Sequence, residues 1–134
     1  MKTNMEQMLQ SLLKQKNPKV TLTSDRGVLT FTVLMEDGSV GAIHITDDLD
    51  GYYNIVCSNV IKSPTRISKT KWLAIANQYQ LVAGLKVIDG TWYGMLSMRI
   101  KPSSEDDLYE DMVTFITRTG LVVKAWHQKS TTPA

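Results

Sequence analysis

The stretch at residues 85–100, LKVIDGTWYGMLSMRI, sets the tightest limit on how this chain folds. Asp89-Gly90 separates two runs rich in β-branched and aromatic residues, and glycine there supplies the positive φ that tight hairpin turns need. A two-residue loop, at either Asp89-Gly90 or Gly90-Thr91, then sorts the side chains by parity. Leu85, Val87, Trp92, Leu96, Met98 and Ile100 share one face, while Lys86, Ile88, Tyr93, Met95, Ser97 and Arg99 share the other. The first face is the expected core.

A second strand signal lies at residues 28–35, where Leu29, Phe31, Val33 and Met35 alternate with Thr30 and Thr32. It returns through Glu36-Asp37-Gly38-Ser39 to a strand at 40–46. A three-residue loop at 37–39 sets Phe31 beside Ile45 and Val33 beside Ile43, and sends His44 to the solvent face with Thr30 and Thr32. A strand at 19–23 precedes this pair across the turn Asp25-Arg26-Gly27, and another at 52–61 follows the acidic turn DDLDG, with Tyr53, Ile55 and Cys57 opposite Asn54 and Ser58.

Three helices complete the reading. Met5, Met8, Leu9, Leu12 and Leu13 form the stripe of a short N-terminal one, closed by Asn17-Pro18. Ser63-Pro64-Thr65 opens the second, whose stripe is Trp72, Leu73, Ala76, Tyr79 and Ala83, with Gly84 as its stop. Pro102 and Ser103-Ser104 open the third, with Asp106 in capping-box spacing from Ser103. Its stripe of Leu108, Met112, Phe115, Thr119, Val122 and Trp126 runs to about residue 127. The expectation is one α+β domain over residues 1–129, a single antiparallel sheet with helices on one face, and a disordered tail at 130–134.

Composition narrows the function classes. With 43% hydrophobic and 21% charged residues, and no apolar run near the roughly 20 residues a bilayer span needs, no membrane partner is expected. The N-terminus lacks the apolar core and cleavage site of a signal peptide, so the chain reads as cytoplasmic. A formal charge of +2 with scattered Lys and Arg gives nucleic acid no expected footprint. One cysteine, Cys57, leaves no cysteine cluster for a metal, and no cofactor or metal is expected.

From the Trp72 segment LAIANQYQ, through LKVIDGTWYGMLSMRI, to SSEDDLYEDMVTFITRTGL, the element order resembles the YbjN family of bacterial sensory-transduction regulators and, beyond it, the type III secretion chaperone-like fold. The resemblance covers nearly the whole chain and is topological. It implies a small, cytoplasmic, non-enzymatic, often dimeric protein that binds other proteins. The mildly basic charge departs from the acidic secretion chaperones, and no family residue carries over, because there is no motif to match.

The chemistry-bearing residues are few. His44-Ile45-Thr46 fits one half of a two-histidine phosphoesterase, yet His127 is followed by Gln128-Lys129 and supplies no second half. Asp47, Asp48 and Asp50 lack the glycine and terminal glutamate of a calcium hand. The leading expectation is therefore a non-catalytic protein-binding or regulatory module, chaperone-like and homodimeric. Its partner-binding residues are those that parity puts on the outer sheet face: Leu34, Val56, Val60, Ile88, Tyr93 and Met95. The rival readings are a small enzyme with a dispersed site around His44, and a weak nucleic-acid binder using Tyr93 and Arg99.

Overall fold

The 85–100 stretch folds as a hairpin whose two-residue turn is Asp89-Gly90: Ile88 pairs with Thr91, and the turn residues have φ of 50° and 78°. Two successive positive φ values are those of a type I′ turn, which matches the twist of the flanking strands. The computed structural model describes residues 7, 10, 11, 22–25, 28–34, 40–47 and 50–131. The elements are β1 (Leu22–Asp25), β2 (Val28–Leu34), β3 (Val40–Asp47), β4 (Tyr53–Ser63), α1 (Lys69–Gln78), β5 (Val82–Ile88), β6 (Thr91–Ile100) and α2 (Glu105–Thr131). The six strands form one antiparallel sheet in the order β1-β2-β3-β4-β6-β5, which with the helices makes an α+β fold. Gln7, Gln10 and Ser11 are also helical; the proposed N-terminal stripe of Met5, Met8, Leu9, Leu12 and Leu13 lies outside the described residues.

Parity held where register did not. Phe31 stands opposite Ile43 and Leu29 opposite Ile45, so β2 sits two residues away from the expected alignment. Five residues, 35–39, separate the last pair, Leu34 and Val40, where three were expected. Because the shift is even, Ile43 and Ile45 still point into the core, and His44 still points away from it. His44 is half-buried on that face, not in open solvent: it shares a hydrogen bond of 2.9 Å between Thr30 Oγ1 and its own Nδ1.

Both helices cover one side of the sheet. Ile43, Ile45, Ile55, Cys57, Ile61, Leu96 and Ile100 pack with Trp72, Ile75 and Ala76 of α1 and with Leu108, Met112, Phe115 and Val122 of α2. Burial pushes the Cys57 thiol above its ordinary range, consistent with a packing role. Trp72 is fully buried, meets Trp126 edge to face at 5.6 Å, and donates its indole N–H to the Gly84 carbonyl at 3.0 Å. Gly94 makes room for it. A Cβ on Gly94 would lie 2.9 Å from Trp72 ring atoms and closer still to Ile61.

Helix boundaries moved from their expected places, each for a local reason. At Ser63 the hydroxyl accepts the Thr65 N–H at 3.1 Å, a turn bond that competes with helix, so α1 begins only at Lys69. Ser68 is its cap, accepting the Lys71 N–H at 3.3 Å, while Ile67 is buried just before it. The helix ends at Gln78, with Gln80 at φ 60°, so Ala83 and Gly84 belong to β5 and the helix stop lies upstream of Gly84. At α2 the cap is Ser104, which accepts the Asp107 N–H at 3.2 Å, one residue beyond the expected Ser103-Asp106 box. Asp107 in turn accepts from the Ser103 hydroxyl and backbone N–H, which hold its carboxyl below the ordinary range. The helix continues to Thr131, so residues 130 and 131 are helical and not tail.

Candidate interaction surface

The outer sheet face is built from alternate residues of the same strands that make the core. Register aligns Thr30, His44, Val56, Ser97 and Val82 in one row across β2, β3, β4, β6 and β5. Beyond it, Met95 pairs with Gly84, and its Sδ would stand 3.9 Å from a Cβ there. Tyr93 pairs with Lys62 on one side and Lys86 on the other, with the Lys86 ammonium 5.6 Å from the ring centre. Ile88 lies diagonal to Tyr93 and is 50% exposed. Val56, Met95, Tyr93 and Ile88 thus make an uncharged diagonal across β4, β6 and β5, within reach of one another at the 7–8 Å spacing typical of diagonal neighbours.

Two of the expected contact residues fall elsewhere. Between Cys57 and Ile61 the β4–β6 register shifts, because three residues of β4 oppose only Met95 of β6. Val60 sits in this irregularity and packs, partly buried, against the core, so simple alternation placed it on the wrong face. Leu34 pairs in its backbone with Val40 on the far side of β3, apart from the Tyr93 group.

A cation–aromatic cluster that sequence reading missed occupies the opposite end of the face. Tyr52 lies under the Arg99 guanidinium at 3.9 Å and the Lys101 ammonium at 4.8 Å. Arg99 was on the outer face by parity, but pairing it with Tyr52 required knowing that β4 lies beside β6 and not beside β5. Among the described residues, the cations placed on this face therefore fall in two groups, Lys62 and Lys86 around Tyr93, and Arg99 and Lys101 on Tyr52. The Met95 and Ser97 rows separate them.

Among the described residues, His44 has Thr30 as its side-chain partner. Its strand neighbours are Thr30 and Val56, and among the described residues no three of His, Cys, Asp or Glu come together as a metal-ion group. An open depression of ≈ 720 Å³ does exist, lined by Gln7, Gly51, Tyr53, Lys101, Pro102 and Glu105 among others, and His44 is not part of it. On α2, burial first and then the nearby Asp107 and Glu110 charges push the Asp111 carboxyl up. No helix of the described residues is long and apolar enough to cross a membrane. Compared with known protein families, curated proteins and solved structures, the chain has no match.

Proposed function

We propose that this protein is a non-catalytic protein-binding or regulatory module, chaperone-like in the manner of YbjN-type domains, and that it works as a homodimer. The observation that carries the reading is the uncharged diagonal of Val56, Met95, Tyr93 and Ile88 on a sheet face where neither α1 nor α2 packs. Aromatic residues and methionine are the types enriched at protein interfaces, and a sheet face offers them on a rigid base. The nucleic-acid alternative draws support from the stacked cations, but these are divided between the two ends of the face, whereas a strand of nucleic acid is held by a continuous basic groove.

The test is a Tyr93→Glu, Met95→Glu double variant, with circular dichroism confirming that it stays folded. Cross-linking mass spectrometry in extract of the source cell should give protein adducts at this face for wild type and lose them for the variant. A folded variant that keeps the same adducts would overturn the reading, and recovery of RNA or DNA in place of protein would favour the nucleic-acid one.

A further inference from the structure

We propose that a second copy of the chain pairs along the edge of β5 that no other described strand covers, joining the two sheets into one across a two-fold axis at Leu85. The idea rests on the homodimer reading above and gives the dimer a place separate from the outer face. β5 is the last strand in the sheet order, and it is seven residues long with Lys86 as its one charge. That charge is engaged over Tyr93. The other edge, β1, has only four residues and ends on Asp25. Short strands and charges are the usual protection of an exposed edge, and β5 has little of either.

The hairpin geometry fixes which backbone groups face outward. A two-residue loop closes on a hydrogen-bonded pair, here Ile88 and Thr91, and bonded pairs then alternate with non-bonded ones along an antiparallel ladder. Lys86, Gly84 and Val82 therefore turn their backbone groups toward β6. Ala83, Leu85 and Val87 turn theirs toward the open edge. These three are centred on Leu85, so an antiparallel copy sets Leu85 against Leu85 of its mate and Ala83 against Val87, each a hydrogen-bonded pair.

The side chains agree with this register. Val82 is 67% exposed and Ile88 50% exposed, and both lie on the outer face. The two-fold places each Val82 directly opposite the other copy's Ile88, at non-bonded positions where side chains come closest. Lys86 falls opposite Gly84, so the two lysines are not directly opposed. On the other face, Leu85 meets its own copy and Ala83 meets Val87, which is 50% exposed in the single chain. The same operation keeps both sets of helices on one side of the joined sheet, leaving a single extended outer face.

Sedimentation velocity over a concentration series tests the register. Wild type should show a reversible dimer. A Val82→Glu, Ile88→Glu variant sets like charges opposite each other at both ends of the junction and should raise the dimer Kd roughly tenfold or more. A Val82→Glu, Ile88→Lys variant sets opposite charges there and should return the Kd to within a few-fold of wild type. All substituted side chains are exposed, and circular dichroism checks the fold. The proposal is overturned by a wild type that stays monomeric, or by two charge variants that behave alike. Dissociation by Tyr93→Glu, Met95→Glu without any response to the edge variants also overturns it, while leaving the protein-binding reading intact. A chain that dimerises and responds to the edge variants, but whose folded Tyr93→Glu, Met95→Glu variant keeps the same outer-face adducts, does the reverse.

Discussion

Residues Ile55, Val56 and Cys57 show both faces of the sheet within one step of β4. Ile55 and Cys57 are buried under the helices, while Val56 between them lies half-exposed in a row with His44 and Ser97. The core face is filled by large apolar groups with no room to spare, as Gly94 under Trp72 shows. The outer face mixes Thr, Ser, His, Met and Tyr with stacked cations. One face is therefore specified by packing, where a single methyl matters, and the other by what it leaves available.

The largest effect expected from that contrast is at Trp72. It is fully buried, contacts Trp126 and bonds Gly84, so Trp72→Ala removes packing on α1, α2 and β5 together. Large aromatic deletions of this kind cost about 3–5 kcal/mol. Urea unfolding should show a loss of that size, and a midpoint close to wild type would mean that α1 contributes little to the fold.

Two glycines on the same hairpin give a sharper comparison. Gly94 faces the core and Gly84 the outer side, and Leu85 and Met95 pair them diagonally across β5 and β6. Gly94→Ala forces a Cβ against Trp72 and Ile61, an overpacking that costs about 1–3 kcal/mol. Gly84→Ala meets only ordinary contacts at 3.8 and 3.9 Å from Met95, so its stability should stay within about 0.5 kcal/mol of wild type or rise slightly. Equal costs at the two positions would break the assignment of faces.

Side-chain parity was legible in the sequence because it needs only alternation, and a register error of two residues leaves it unchanged, as at Phe31 and Ile43. The hairpin turn was legible because Asp89-Gly90 is a local signal. Strand order was not, since nothing local in 85–100 states that β6 and not β5 lies against β4. For that reason the Tyr52–Arg99 stack was missed and the exposed β5 edge had no expectation attached to it. Val60 failed differently: a bulge adds residues to one strand, and alternation counts straight through it. The boundaries of α1 and α2 shifted because several adjacent serines could serve as caps, and only the bonds actually formed at Ser68 and Ser104 decide among them.

The smallest expected effect belongs to the imidazoles. His44 lies on the outer face and its one described bond is to Thr30, so His44→Ala removes a partly exposed hydrogen bond worth about 0.5–1.5 kcal/mol at most. His127 is exposed near the end of α2, where replacing a surface side chain usually changes stability by no more than about 0.5 kcal/mol. A His44→Ala, His127→Ala double variant should therefore unfold near the wild-type midpoint and keep the cross-linked adducts of the outer face. Because neither ring belongs to the Val56–Ile88 diagonal, a binding module predicts unchanged adducts, whereas a site working through His44 predicts a hydrolytic activity that disappears. Assaying wild type and variant against simple phosphodiesters decides between them: activity in the first that is absent from the second would move the working surface from Tyr93 and Met95 to the row around His44.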